Sequence, residues 1–504
     1  MCEYTLNLLT YNYRFDMMDM LGRLSALFLL KKEGENMTKQ EKKSTRTKAF
    51  EERQLSSLKK KSLKGNSSSY FFILLVIIAF VNIIDEVTSN LSVSVQSSFV
   101  TEFFVNRPFL GKIYTFEEGL SLHTSVSVIS YVLGAITPFY KALADKWGRK
   151  PLFAISTLGM SLGLLIIYFS PNYLVFLLGY AVIGFFFGHD IQIIYILEEA
   201  PDKYRAAIYS VLKALGIFGV VCIPMLRNLL MGDDATLWRR IFLAPAIAGI
   251  VAALMVVILA KDTKVFMNER IAYLSIPYEE RQAQKKREKE EKKAQRNQSG
   301  VFNAVKYIFA NKDTKSLIIS HIIFDAGMPA IALYYESSMH IAGMSTSDIT
   351  KSMFVLPIVY ATLTFFSGFI ADKLGRKKTI VGASVLCITG FILFAVGINN
   401  LWNPYLIGGF CGLYQGCYWI GRDYMNIMMT EKVPTDIRAS VVGAEGLLVI
   451  IGLAVGYILA AVGMLVIPVY LTCLLVALPC VAVAAVILGA RVKETKGANL
   501  DEIG

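Results

Sequence analysis

The chain has 504 residues, of which 55% are hydrophobic and only 18% charged, with a mean hydropathy of +0.50. A soluble globular protein carries about 25% charged residues, so that class is excluded, although the length would suit about three soluble domains. The net charge of +12 does not point to nucleic acid. Lys and Arg sit in short segments between apolar runs of about 20 residues, the length that crosses a hydrocarbon core of roughly 30 Å.

The first 36 residues hold one short apolar run, Leu24 to Leu30, too short to span and followed by no small-residue cleavage site. A second methionine, Met37, opens a stretch rich in Lys, Ser and Gln. Residues 1–36 read either as a start placed too early or as a real extension, and 1–69 as a whole as a disordered cytoplasmic tail. About twelve apolar runs follow, at 70–95, 122–142, 151–169, 172–197, 206–228, 240–260, 316–339, 352–370, 379–396, 404–429, 440–463 and 465–490. Arg227 makes the end of the fifth the least tidy. Six of the seven cysteines lie in these runs without CxxC pairing and read as small buried hydrophobes.

The segments between the runs alternate in charge. The tail at 38–64 and segments 141–150, 203–205, 261–315, 373–378, 432–438 and 491–496 carry most of the Lys and Arg. The basic side is cytoplasmic, so both termini are expected inside. The expected organisation is an N-terminal six-helix bundle at 70–260, a charged cytoplasmic linker at 261–315, a C-terminal six-helix bundle at 316–490 and a cytoplasmic tail at 491–504.

Two strings recur in the same order in both halves. ALADKWGRKP (Ala142–Pro151) matches FIADKLGRKK (Phe369–Lys378), each between the second and third runs of its half. GHDIQIIYILEEAPDKYRAA (Gly188–Ala207) matches GRDYMNIMMTEKVPTDIRAS (Gly421–Ser440) without gaps, each at the end of a fourth run. This is a duplicated six-span unit, as expected of a two-bundle transporter. Asp145 and Asp372 are placed to accept backbone N–H groups at a nearby helix N-terminus. Arg149 and Arg376, beside Gly148 and Gly375, can reach Glu198 and Glu431, and Arg205 and Arg438 can join the same clusters. These groups are expected to latch a cytoplasmic gate in the outward-facing state.

The D-x-x-G-R-K turns resemble the signature loop of the major facilitator superfamily. The E-x-x-P-x-x-x-R strings (Glu198, Pro201, Arg205; Glu431, Pro434, Arg438) and the tail ETKGANLDEI (Glu494–Ile503) are similar to its sugar-porter branch. The resemblance covers the chain from about Tyr70 to the end and implies an all-α membrane protein of about twelve transmembrane helices in two pseudo-symmetric six-helix bundles. It departs where sugar porters carry QQ-x-x-G-x-N before a Tyr pair. Here HIIFDAGMPAIALYY places Ile323 and Phe324 at the Gln pair, with Asp325 following, and keeps Tyr334 and Tyr335. KDTKVFMNER stands where that branch carries PESPR, and Lys141 stands at a usual Gly that Gly368 keeps.

Ionisable residues inside spans default to functional candidates. Asp190 and Asp423 lie eight residues before Glu198 and Glu431, so about 12 Å from the membrane edge, close to where two-bundle transporters bind solute. His189 and Arg422 precede them. Asp325, Lys213 and Glu445 are expected at similar depth, and Asp85 and Glu86 in the outer half of the first span. Six acids thus face Lys213, Arg422 and the titratable His189. Arg422 is expected to pair with a carboxylate of the other bundle and to keep Asp423 ionised, which leaves Asp190 as the better proton carrier. Tyr334, Tyr335, Tyr414 and Trp419 are candidates to line a cavity. Glu336 is expected near the outer interface, solvated.

No Gly-x-x-x-x-Gly-Lys-Ser/Thr string is present and the four His are scattered, so neither an ATP-driven pump nor an enzyme is expected, nor any cofactor or metal. The expected function is secondary active transport of a small organic solute by alternating access, with proton symport first. Alternatives are a proton-coupled exporter of cationic or amphiphilic compounds and a non-transporting receptor on the same fold. The expected partners are the plasma-membrane bilayer, the solute and a proton, with no nucleic acid and the chain a monomer.

Overall fold

The computed structural model describes residues 39–62, 68–134, 148–187, Tyr195, 198–200, 205–281, 283–284, 301–433 and 437–496. Among them regular structure is helical, apart from an isolated bridge between Phe109 and Lys112. Each of the twelve apolar runs holds a helix. The first half contributes α2 (Ser68–Leu91), α3 (Phe116–Gly134), α4 (Arg149–Tyr168), α5 (Tyr173–Phe186), α6 (Arg205–Leu226) and α7 (Arg240–Leu259), preceded by α1 (Lys39–Ser62) and followed by α8 (Lys264–Ser275) and α9 (Val301–Ala310). In the second half one run is broken into α10 (Lys312–Ala326), α11 (Met328–Ala332) and α12 (Tyr335–Ile341). Then come α13 (Thr346–Leu374), α14 (Arg376–Asn399), α15 (Pro404–Glu431), α16 (Arg438–Gly463) and α17 (Val469–Arg491). Seven of these helices are by themselves long and apolar enough to cross a bilayer.

The packing repeats as the sequence does. In the first half α2 lies on α6 and α7, α4 on α5 and α7, and α3 on α5; in the second, α10 lies on α16 and α17, α14 on α15 and α17, and α13 on α15. The halves meet through α6 on α13 and α3 on α16, contacts that exchange into each other under the same correspondence. Local sequence supports the match. Asn172 caps α5 by accepting from the Val175 N–H at 3.0 Å, and Asn403 caps α15 by accepting from Tyr405 at 3.0 Å, with Pro404 filling the next position. Phe365, Phe366 and Phe369 lie exposed on α13, as a lipid-facing surface requires.

Two expectations are corrected. The seventh run is not one helix. Gly327 and Pro329 fall within three residues, and proline cannot supply the N–H that would continue the ladder, so the helix stops and restarts. The tail at 39–62, expected to be disordered, is helix α1 packed on α8. Leu58 buries against Phe266, Met267 and Leu274, Arg281 donates to Glu51 at 2.8 Å, and Arg270 donates to Gln54 at 3.0 Å. A few apolar residues at helical spacing suffice once a partner helix covers them. Residues 1–38 lie outside the described residues.

Candidate functional site

Asp145, His189 and Asp190 lie outside the described residues, as do the side chains of Arg205, Lys213 and Arg438. The remaining candidates fall into three zones. One is central, one is at the face carrying α1 and the chain's C-terminal segment (the termini face), and one is at the opposite, distal face.

The central zone is built by α10, α15 and α16. Glycine lets them close. Gly452 and Gly456 of α16 sit on the carbonyls of Ile322 and Ala326 in α10, where a Cβ atom would overlap them. This close approach brings Glu445 beside His321. The buried carboxylate of Asp325 accepts from Arg422 Nε at 3.0 and 2.9 Å on its two oxygens, from Arg422 Nη2 at 2.9 Å, and from the Tyr418 hydroxyl at 3.0 Å. His321 lies one turn before Asp325. Its Nδ1 is 2.9 Å from Glu445 Oε1, while its Nε2 is 3.9 Å from Asp325 Oδ1 and has no hydrogen-bond partner. The Arg422 guanidinium lies 5.4 Å from the centre of the Trp419 ring, close enough for a cation–π contact. Trp419 is therefore part of this zone, while Tyr414 packs on Phe391.

The pairing of Arg422 differs from expectation. Its partner is Asp325 of its own half, not a carboxylate of the other bundle. Consecutive helical residues point about 100° apart, so Arg422 turns to α10 while Asp423 is exposed on another face. Asp423 and Glu86, from opposite halves, both act electrostatically on Tyr360 of α13. Glu86 packs on α6, where a Cβ at Gly219 would stand 3.1 Å from its own Cβ, and Asp85 is buried.

At the distal face the halves are stitched together. Glu336, expected to be solvated, is buried and accepts from the Ser97 N–H at 2.7 Å and the Ser97 hydroxyl at 2.5 Å. Arg227, which disrupts the fifth run, sits buried in a π-turn. It donates to the Ser94 carbonyl and to Thr350 Oγ1 (3.1 Å), with Glu336 3.9 Å away. A charge can enter so apolar a run because Ser94 of its own half and Thr350 and Glu336 of the other surround it with polar groups. Ser337 donates to Gln96 at 2.8 Å, Ser121 to the Ala461 carbonyl at 2.7 Å and Tyr334 to Thr124 at 2.9 Å. Tyr334 also lines a cavity of about 20 Å³ with His123, Ser127, Tyr180 and Tyr457, room for about one water. Tyr335 is half-buried against the core. Outside this seal lies a vestibule of about 480 Å³. On its wall Glu102 accepts from Arg239 and Trp238. Burial pulls this carboxyl upward, but those hydrogen bonds and the charges of Arg239 and Arg107 outweigh it and hold it below its ordinary value.

At the termini face each half closes on itself, in the same way. Arg149 donates to Glu198 at 2.9 Å, and Arg376 lies 3.4 Å from Glu431, as the sequence indicates. The helix N-termini, however, are capped by other acids. Asp262 accepts from the Lys150 N–H at 2.9 Å, and Glu494 accepts from Arg376 N–H at 2.9 Å and Lys377 N–H at 3.1 Å. Asp372, expected to make this contact, pairs instead with Arg376 at 3.0 Å and is 77% exposed. Gly148 and Gly375 hold positive φ, 107° and 96°, and a Cβ at either would strike the capping acid. Thr263 donates to Glu198 and Thr495 donates to Glu431 at 2.5 Å, so each half holds one Arg–Glu–Thr–acid cluster. The contacts of Asp262, Thr263, Glu494 and Thr495 with these turns are what the motif reading missed. The signal was there, in Lys261–Asp262–Thr263–Lys264 against Lys493–Glu494–Thr495–Lys496. Burial draws Glu494 upward, but four backbone N–H groups hold it below its ordinary value.

Comparison with known proteins agrees with this architecture. The family model of the Major Facilitator Superfamily matches residues 69–444 and 316–502. The chain is 27% identical over 345 residues to the minor myo-inositol transporter IolF of Bacillus subtilis (strain 168), covering 67% of this chain and 73% of that protein. It is 23% identical to the glucose transporter GlcP of Staphylococcus epidermidis (strain ATCC 12228 / FDA PCI 1200), over 65% of this chain and 76% of the relative. The crystal structure of a D-xylose-proton symporter superposes with a TM-score of 0.57 at 16% identity, over 85% of this chain and 99% of that one. Duplicated packing, paired turn clusters and these matches agree: the chain belongs to the Major Facilitator Superfamily, resembles its sugar-porter branch, and is a transporter rather than an enzyme.

Proposed function

We propose that the protein is a secondary transporter of the plasma membrane. It moves a small polar organic solute, of the polyol or sugar class that its relatives' names indicate, by alternating access coupled to a proton. Both termini lie in the cytoplasm, and the two bundles, 70–260 and 316–490, rock about the solute as a single chain. The observation that carries this reading is the difference between the faces. Described polar contacts between the halves gather at the distal face, while the described termini-face pairs, Arg149–Glu198 and Arg376–Glu431, close within one half. This supports a state sealed outside and not latched between the halves on the cytoplasmic side. The buried Glu445, whose hydrogen-bond partner is the titratable His321 and not a fixed cation, supports proton coupling, because a buried carboxylate is costly to keep ionised and readily takes a proton.

The test is reconstitution in vesicles with labelled myo-inositol, glucose and xylose, with and without an inward pH gradient. Accumulation driven by the gradient is expected. Net movement that ignores the gradient removes the proton, and no movement of any solute tried removes the solute class. A cysteine at Asn400 is expected to react with an impermeant reagent from outside and one at Lys312 from inside only. The reverse pattern overturns the orientation.

A further inference from the structure

We propose that Glu445 and His321 share one exchangeable proton, and that this pair couples proton to solute through a contest between His321 and Arg422 for Asp325. The proposal rests on the proton-coupled reading above and adds its site, in the second half of the chain.

The geometry sets the accounting. Asp325 and Arg422 neutralise each other through a bidentate contact. What remains buried beside them is Glu445, about 2% exposed, bonded to Nδ1 of a His321 that is 1% exposed. With Glu445 ionised and His321 neutral, Nδ1–H donates to the carboxylate, Nε2 is bare, and the cluster carries one net negative charge. One added proton cancels it. A proton that enters at Nε2 makes that atom an N–H donor. Either the ring is doubly protonated, or Glu445 holds a proton and donates to Nδ1 while the ring hydrogen sits on Nε2. The two groups therefore hold the proton jointly. Nε2 is a fully buried atom with no hydrogen-bond partner, and it lies 3.9 Å from Asp325 Oδ1. A small side-chain shift makes that contact when the proton is present, and nothing draws the two together when it is absent.

The coupling follows. Asp325 has its charge met by Arg422 in the unprotonated state. In the protonated state His321 can take over one of its oxygens, and Arg422, with its side chain 30% exposed and lying over Trp419, is released toward solute. A solute that accepts hydrogen bonds from the guanidinium, as a polyol hydroxyl pair or a carboxylate does, then stabilises the protonated cluster. Proton and solute thus bind with positive linkage, as symport requires. No bond breaks other than that of the transferred proton.

Charged groups around Glu445 support an isolated pair. His321 and Asp325 face it from α10 and Arg422 from α15. On the other helices packed against α16, Lys306 of α9 and Arg491 of α17 are exposed, His123 of α3 turns to Tyr173 at 2.9 Å, and Glu117 and Glu118 lie at the distal start of α3.

The test needs no known solute. Purified full-length protein is titrated with pH and followed by infrared difference spectroscopy in the carboxylic C=O region. We expect a reversible protonated-carboxyl band that is lost in Glu445→Gln, kept at an altered frequency in Glu445→Asp, and moved to a different pH midpoint in His321→Asn, by about one unit or more. Glu279→Gln, on the exposed linker, leaves the band in place. A band unchanged in Glu445→Gln, or a midpoint indifferent to His321→Asn, overturns the proposal whatever the vesicle assays show. If Glu445→Gln does not fold, Glu445→Asp and His321→Asn decide the same question. Conversely, the expected infrared result with transport that ignores a pH gradient would sink the symport reading and leave the proton site standing.

Discussion

The distal and termini faces use the same chemistry to hold different things. At the distal face Arg227 and Glu336, each 1% exposed, lie across the boundary between the halves. At the termini face Arg149 and Glu198, 10% and 14% exposed, lie inside one half, and Arg376 and Glu431, 21% and 20% exposed, inside the other. A charge pair across a boundary stabilises a state of the transporter, whereas a pair within a half stabilises that half in every state. Removing a member of the first should therefore shift populations, and removing a member of the second should lower stability.

The largest effect is expected from Arg227→Met. It leaves Glu336 buried without its cation, which costs about 3–5 kcal/mol when the partner stays ionised. The distal seal should open, read as faster reaction of a cysteine at Ser97 with an impermeant thiol reagent. Glu336→Gln added to it should restore most of the protection. A double variant as reactive as Arg227→Met alone would mean that the pair is not what holds the seal.

Glu198→Gln comes next. Loss of the charge-assisted bonds from Arg149 and Thr263 is expected to cost about 1.5–3 kcal/mol, seen as a lower melting temperature with distal reactivity unchanged. Opening of the distal face in this variant would erase the distinction between faces. Asp372→Asn, on an exposed residue, should cost under about 1 kcal/mol. If the turns also latch the gate in the outward-facing state, Asp145→Asn with Asp372→Asn will slow transport while the protein stays in the membrane. Wild-type rates would reject that role.

Acid sharpens the comparison further. Glu494 and Glu102 both have carboxyl groups held below their ordinary value in the fold. Their contributions are therefore complete above the unfolded value of about 4.5 and are lost as pH falls through the lower, folded one. Glu494→Gln should flatten the acid limb of thermal stability. A limb that keeps its slope would assign acid sensitivity elsewhere. The smallest effect belongs to Lys351→Ala, whose exposed pairing with Asp348 at 2.8 Å is screened by solvent, so the melting temperature should stay within error of wild type.

Much of the fold was legible in the sequence, because span length and charge alternation are dictated by the bilayer. The two Arg–Glu pairs were legible too, because the repeat prints them twice. The acids that cap α4 and α14 were harder to see, since Asp262 and Glu494 reach their targets across more than a hundred residues. Counting residues along a helix says nothing of azimuth, so Asp325 was missed as the partner of Arg422. His321 looked like one scattered histidine until the glycines of α16 brought Glu445 against it. Glu336 was expected to be solvated because its cover, Ser97 and Arg227, comes from the other half of the chain.

The account depends most on the distal face being closed by contacts between the halves. Pulsed electron-spin distances test this directly, with labels at Asn106 and Ser345 on the distal side and at Lys264 and Lys312 on the termini side. Wild-type protein should give a short distal and a long termini distance. Arg227→Met should lengthen the first and shorten the second together, as one rocking motion. Distances unchanged in Arg227→Met, or a distal distance that lengthens while the other stays fixed, would contradict it.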